Sequence, residues 1–357
     1  MTHDALVVGA GPAGSVVASE LARRGCRVLL VDKAHFPRAK VCGCCLNGAA
    51  VAMLGRLGLG RVLEGAVPLD RVKLAAGSRS AEVCLPRGVA LSREALDARL
   101  VAAAVEAGVE FRPGVAVKVG DLLRELPTRV VIVATGLTGG DAMPAPHSRV
   151  GAGVVVPAEV APAHYGPGAV HMATARGGYV GLVRVEDGRL DVAAAFDAAF
   201  VKAAGGPGLA AEAVLREVGW PVPRGLAELP WRGTPALTRR PARLGGRRYF
   251  VVGDAAGYVE PFTGEGMAWA VMSAAALAPI AARAARRWND ELVRDWEATH
   301  ARVVGRRQRV CRVVSRVLRS PRLTGLAVRA LNAFPVLSRP VVAALNRPSH
   351  LPRAAFA

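Results

Sequence analysis

Lysine is almost missing from this chain: only Lys33, Lys40, Lys73, Lys118 and Lys202 occur, so the other 42 of its 47 basic residues are arginine. With 40 glycines and abundant alanine alongside, part of that bias reads as base composition rather than function. Aromatic residues make up 5% of the chain, which leaves few platforms for base stacking. No recognition module accompanies the positive charge, so nucleic acid is not an expected partner. No apolar run is long and clean enough to span a bilayer; the nearest, Gly266 to Ala282, is rich in alanine and contains Pro279. The first residues lack the charged head, apolar stretch and cleavage site of a secretory leader, and the reading is cytoplasmic. Six cysteines, with Cys42, Cys44 and Cys45 crowded together, do not form the spaced framework of a secreted scaffold and are expected to be reduced. No second Cys/His pair stands at ligand spacing, so no metal is expected.

What is present is a chain of 357 residues, 52% hydrophobic, enough for one large or two ordinary domains with a sizeable core. Ala5 to Val8 is a short β-type run, followed by Gly9, Gly11 and Gly14, an amphipathic stretch to Arg24, and a second run, Val28 to Val31, ending at Asp32. Strand, glycines, helix, strand and acid in register form a dinucleotide-binding βαβ unit. Gly9 serves the tight turn, Gly11 the close approach of a pyrophosphate and Gly14 the helix packing, while Asp32 stands where a carboxylate accepts ribose hydroxyls. Pro12 opens the helix at no cost, and the bare helix N-terminus favours a phosphate. Further along, Leu91 to Gly108 reads as a helix capped by Ser92, and Val130 to Val133 as a buried strand. Tyr249 to Val252 is another strand, closed by Gly253 and Asp254. Between Gly151 and Gly246 the pattern turns to strands such as Tyr179 to Val185 and Leu190 to Phe196, with Asp187-Gly188 as a hairpin signal.

Over most of residues 4 to 300 the chain resembles the FAD-dependent oxidoreductases of the p-hydroxybenzoate hydroxylase superfamily, and within them the geranylgeranyl reductase-like branch. The resemblance is carried by VVGAGPAGSVVASELARRG, FPRAKVCG, LSREALDARL, VVIVATG and above all GDAAGYVEPFTGEGMAWAV. It implies an α/β fold: a Rossmann-type FAD-binding domain with a parallel sheet of the glutathione reductase kind, an inserted, mainly antiparallel β-sheet substrate domain, and a helical tail. Residues 1–70, 91–150 and 246–300 would make the discontinuous FAD-binding domain, 71–90 and 151–245 the substrate domain, and 301–357 the basic helical region. By the same matching Asp254 would hold a ribityl hydroxyl, with Gly253 before it, and Pro261, Gly264, Glu265, Gly266 and Met267 would lie against the isoalloxazine. A helix N-terminus there would stabilise negative charge on the reduced flavin. Ala13, Lys33, Arg38, Arg93, Ala134, Thr135 and Gly136 complete the set expected around the cofactor. Cys42 and Gly43 match the CysGly step beside the flavin, where a thiol lowered in pKa by arginine could donate a proton or position substrate. Cys42 and Cys45, spaced CxxC, could also form a redox pair. Tyr179 is the third candidate for catalysis.

Departures from the family bear on the reaction. The WxWxIP motif and catalytic lysine of flavin halogenases are absent, so halogenation is not expected. The Asp-Gly motif that aromatic hydroxylases place after the ATG strand is replaced by ATGLTGGDAM. The substrate-domain pattern of a typical geranylgeranyl reductase is reduced to GGYVGLVRVEDGRLDVAAAF, which keeps Tyr179 but lacks the Trp, Phe-Pro and Asn. The expected activity is hydride transfer through flavin N5 to or from a hydrophobic, isoprenoid- or polyketide-like small molecule. The alternative is hydroxylation of an aromatic or polyketide substrate through a C4a-hydroperoxide. A further alternative is a membrane-surface binding protein with structural FAD. No second GxGxxG binds NAD(P)H, so that donor would dock transiently, or a redox protein would take its place.

The net charge of +19 is unevenly spread: residues 301–357 hold twelve arginines and no Asp or Glu. From Ala301 to Leu318 the periodicity puts Val303, Val310, Val314 and Val317 on one helical face and Arg302, Arg306, Arg309, Arg312, Arg316 and Arg319 largely on another. Such a helix either packs its valines on the body of the protein or meets an anionic membrane surface, which would make the protein peripheral at the inner face of the membrane.

Overall fold

The computed structural model describes residues 3–346 except 126, 140, 141, 261 and 263. Among them, one six-stranded sheet runs in the order Gly245–Gly246, Tyr249–Val251, Val130–Val133, Ala5–Val8, Val28–Asp32, Glu110–Pro113. All pairs are parallel except the outermost Gly245–Gly246 hairpin arm. Ala5–Val8 sits at the centre, Leu6 facing Leu29 on one side and Val131 on the other. Val130–Val133 is buried throughout, as a parallel strand covered on both faces must be. The helices Pro12–Arg23 and Gly266–Arg286 pack together over one face. The latter is the apolar near-span of the sequence; buried along nearly its whole length, it is the core helix of this layer. The helix Arg93–Glu106 begins where expected, the Ser92 hydroxyl accepting from the N–H of Ala95.

The second sheet runs Arg232–Ala236, Val150–Val156, Leu190–Phe196, Gly178–Arg184, Ala169–Ala175, Val67–Ala76, Arg79–Ala90, Cys45–Leu46. It is antiparallel except where Ala169–Ala175 runs parallel to Val67–Ala76. The sheet begins at Val67 rather than Arg71, because Val67 and Pro68 keep pairing with Ala90 and Val89. It also recruits Cys45–Leu46 as an edge strand against Val89 and Ala90, so the cysteine segment is a seam between the two sheets. Gly188, at φ 80°, makes the expected turn between Gly178–Arg184 and Leu190–Phe196.

Alternation along these strands divides the second sheet. One face packs Ala173, Val180, Leu182, Val192 and Ala194 under the helix Pro207–Glu217. The opposite face carries Val72, Leu74, Met172, Tyr179, Gly181, Ala193 and Ala195 and lines a cavity. The tail closes the open side of that cavity: the helices Arg306–Leu318, Pro321–Ala333 and Arg339–Asn346 follow one another there, and the middle one packs on the strands Val67–Ala76 and Arg79–Ala90.

His171, on the covered face, is packed among the rings of His164, Tyr165 and Trp220, and His300 lies against Trp296. Burial holds both imidazoles down at about 4, against an ordinary value of 6.5. The neutral rings therefore support the fold fully above pH 6.5, and that support is lost as pH falls toward 4. Urea denaturation across this window should show stability falling with pH, and His171→Leu should flatten the slope; an unchanged slope would show that the ring is not held neutral.

Candidate functional site

The glycine turn after Ala5–Val8 is built by exclusion. A Cβ on Gly14 would overlap the carbonyl oxygen of Gly9, and one on Gly9, at φ 103°, would strike the carbonyl of Ala134. Helix and strand therefore approach as closely as backbone allows. Gly11 differs: its open side faces the cavity, and the guanidinium tips of Arg38 and Arg93 stand 3.6 and 3.9 Å from where its Cβ would be. No side chain caps this helix at Gly11, so its N-terminal dipole adds to the two guanidinium groups. Arg38 Nε is buried without a hydrogen-bond partner among the described residues. Uncapped N–H groups, two arginines and an orphaned donor around a glycine form a cradle for a diphosphate.

The arginines are themselves held in place. Arg93 pairs bidentately with Asp97 at 2.9 and 2.8 Å, and Arg38 lies 3.4 Å from Asp32 and 3.6 Å from Asp97. Asp32 accepts the N–H groups of Ala10 and Ala34 at 2.8 and 2.9 Å, tying the end of its strand to the glycine turn. Burial works against the Arg93 charge, but Asp97 outweighs it and holds the guanidinium well above its usual range.

From this turn the cavity, about 730 Å³, extends over the inner face of the second sheet to the tail helices. It is lined by Gly11, Pro12, Ala13, Cys42, Gly43, Cys45, Arg93, Ala134, Gly136, Tyr179, Gly253, Asp254, Gly264, Gly266 and Met267. Most of the expected site residues thus converge from six distant stretches of chain. Seven do not line it: Gly9 and Gly14, packed inside the glycine turn, and Asp32, Lys33, Arg38, Thr135 and Glu265. Lys33 is exposed beyond the end of its strand. Asp32 stands behind the turn, Arg38 reaches from beside it to Gly11 with its guanidinium tip, and Thr135 turns its hydroxyl onto the carbonyl of Gly139. Glu265 points the other way, into the protein, where it accepts from Asn47, from Trp269 Nε1 at 3.0 Å and from Arg307 at 3.2 Å. Fully buried and held by these three partners, the carboxylate does not line the cavity, while Gly264 and Gly266 on either side do. Pro261 lies outside the described residues.

The titrating groups divide into two sets. The Cys42 thiol is lowered to about 6, first by a hydrogen bond from Cys44 and then, against burial, by Arg93. Cys44 is pushed well up by giving that bond and by burial, and burial holds Cys45 well up too. Cys45 donates to the carbonyl of Gly43 at 2.8 Å, and all six cysteines are free thiols. Tyr179 is held well above its usual range by burial and by Glu260, so its phenol is protonated. Two groups escaped the sequence reading. Lys40 lines the cavity, its charge disfavoured by burial and by Arg93 and supported by Asp254. Arg149 and Glu260, both buried, pair at 3.1 Å behind Tyr179. Lys40 lies inside FPRAKVCG and could have been found there; nothing local marks Arg149, one arginine among 42.

The family model described as FAD binding domain matches residues 2–120. A menaquinone reductase of Mycolicibacterium smegmatis is 36% identical over 145 residues, which cover 38% of this chain and 35% of that protein. The matched stretch thus spans about a third of that relative. Digeranylgeranylglycerophospholipid reductase 1 of Methanopyrus kandleri is 29% identical over 305 residues, 75% of this chain and 77% of that protein. Among solved structures, a flavoprotein/dehydrogenase from Cytophaga hutchinsonii superposes with a TM-score of 0.76 at 17% identity, covering 96% of this chain and 92% of its own. A flavin-dependent brominase reaches 0.76 at 14% identity, covering 99% and 96%. These likenesses show the fold. The diphosphate cradle, Asp254 at the cavity and the glycines flanking Glu265 fit FAD.

Two outcomes are expected from this geometry. Alkylation of Cys42 in the FAD-loaded protein, followed by peptide mass mapping, should rise through pH 6, and Cys44→Ala and Arg93→Gln should both move the midpoint upward; a midpoint near 9 in the parent protein would refute the thiolate. Arg307→Met, which strands the Glu265 carboxylate without its charge partner, should lower folding stability by about 3 kcal/mol in urea titrations; a loss of a few tenths would show that the pair carries no weight.

Proposed function

We propose that the chain is a member of the FAD-dependent oxidoreductases of the p-hydroxybenzoate hydroxylase superfamily, on the geranylgeranyl reductase-like branch, and a reductase that saturates a carbon–carbon double bond in the isoprenoid chain of a lipid. The observation that carries this reading is the cavity floor. GGYVGLVRVEDGRLDVAAAF puts Gly181, Ala193 and Ala195 on the inner face of the second sheet, where larger residues would fill the space, and the walls are aliphatic. A long apolar chain gains from burial along such a trough, whereas a small polar ring finds few partners. The two named relatives are reductases, of menaquinone and of digeranylgeranylglycerophospholipid, in agreement with this choice.

FAD held in this cradle would, once reduced, supply the hydride. The chain's own residues do the rest. Arg38, Arg93 and the glycine turn would hold the diphosphate, and Asp254 would hold a ribityl hydroxyl. Saturating a double bond also requires a proton, and Cys45 Sγ and the Tyr179 hydroxyl keep theirs at neutral pH. Cys42, with its pKa lowered to about 6, is a thiolate under the same conditions and acts as a fixed negative charge beside Arg93 rather than as the donor. Aliphatic walls keep water from the reacting carbons.

Anaerobic reduction of the FAD-loaded protein, followed by mixing with a polyprenylated lipid, tests the reading. The yellow absorbance should return only with the lipid present, and mass spectrometry should show a product two hydrogens heavier. Ala193→Phe, which fills the trough, should cut that rate at least about tenfold while FAD occupancy stays unchanged. Return of the yellow colour only on admitting oxygen, with a product heavier by one oxygen atom, would replace the reductase by a monooxygenase.

A further inference from the structure

The helices that close the cavity carry a second apolar surface, turned away from it. In Pro321–Ala333, Thr324, Gly325 and Val328 are buried, whereas Leu323 and Leu326 are exposed, Leu326 by 61%. The chain then bends by 119° into the next helical stretch, and the elbow holds up Phe334, exposed by 63%, together with Val336 and Leu337. Single exposed apolar residues are ordinary on a soluble protein, but these lie on one elbow. Leu337 and Val341 are exposed and also line the cavity, so the cavity opens at this elbow. Arg319, Arg322, Arg329 and Arg339 are exposed around it, and no Asp or Glu occurs from 301 to 357.

We propose that this elbow docks on the surface of an anionic lipid bilayer, with Leu323, Leu326, Phe334 and Val336 entering the boundary between headgroups and acyl chains and the arginines resting on lipid phosphates. Charge complementarity selects this occupant: a rim dominated by arginine, in which, among the described residues, only Arg319 is paired with acids, Asp197 and Glu260, fits lipid phosphate over acyl chain, whereas a second copy of the chain would bring an equally cationic rim against it. The helices of 13 and 8 residues are too short to cross the bilayer singly and lie within the interface. The cavity mouth would then open onto the acyl layer, and a lipid would enter without crossing water. The arginine helix Arg306–Leu318 takes the first of the two parts its sequence allows: Val314 and Val317 line the cavity, so, Val313 apart, the apolar contribution to docking comes from the segments after it. The inference deepens the proposed reading by stating where a lipid substrate enters, but docking is measured without turnover.

The test uses the full FAD-loaded chain with vesicles of phosphatidylcholine alone and of phosphatidylcholine with a minority of phosphatidylglycerol. Sedimentation should carry the protein with the anionic vesicles, and part of that binding should survive high salt. Leu326→Ser combined with Phe334→Ser should weaken partitioning about tenfold or more with the flavin spectrum unchanged. In a separate variant, Phe334→Trp, brominated acyl chains should quench the new indole. Binding abolished by salt and indifferent to the double serine variant would mean mere adsorption of a cationic protein and would overturn the proposal. So would absence of quenching, or a concentration-dependent dimer in sedimentation velocity that the serine variant dissolves. Docking without lipid reduction would leave this inference standing and sink the reductase; reduction of detergent-dispersed lipid without docking would do the reverse.

Discussion

The architecture around the cavity depends on one buried carboxylate. Glu265 is fully buried at the start of the core helix Gly266–Arg286 and collects Asn47 from the seam between the sheets, Trp269 from its own helix and Arg307 from the tail. Arg307 and Asn47 both also bond the carbonyl of Leu345, and Asn346 accepts from the N–H of Gly48. A single charge thus ties together three stretches that are far apart in sequence. Burial raises its pKa, and Arg307, the Trp269 indole and Asn47 pull it back toward the ionised form. Such a pair adds little stability compared with apolar packing, but removing one partner leaves a charge with no water to turn to. What it supplies is position: the turn carrying Gly264 and Gly266 cannot move unless the tail moves too.

The same economy governs the other end of the cavity. The cysteine segment is an edge strand of the second sheet, so Cys42 is carried to Arg93, which the first domain's glycine turn already faces. Positive charge gathered for a diphosphate therefore also lowers the pKa of a thiol. Cys45, three residues on, lies beyond that influence and keeps its proton. Two thiols of one short motif thus differ in charge because Cys42 receives a hydrogen bond from Cys44 and the field of Arg93, whereas Cys45 is buried near the negative charges of Asp191 and Cys42.

Local patterns carried much of this to the sequence. The βαβ unit, the Ser92 cap, the Asp187-Gly188 turn and the Leu190–Phe196 strand are each set by residues within a turn or two of one another, and they stand where periodicity puts them. Motif matching brought most of the expected residues to one cavity although they come from six parts of the chain. What it could not see was direction. Glu265 sits in the expected turn, yet its side chain is fully buried, because Arg307, Asn47 and Trp269 hold it there and no spacing rule encodes a partner 42 residues away. Lys40 and the Arg149–Glu260 pair were missed for the related reason that a buried charge looks, in sequence, like an exposed one.

The tail shows the limit of periodicity most clearly. An amphipathic arginine helix has an inside and an outside, and Val310, Val314 and Val317 of Arg306–Leu318 are turned inward, as its pattern allows, while Val313 is exposed. The next two helices are apolar on both sides: Val328 and Leu345 are buried while Leu326 and Phe334 are exposed. A helix that merely covers a cavity needs one apolar face and gains solubility from a polar outer one. Keeping leucine and phenylalanine outward carries a solubility cost that covering the cavity does not explain. The outer face must therefore answer to something beyond the fold, and it lies where the cavity opens.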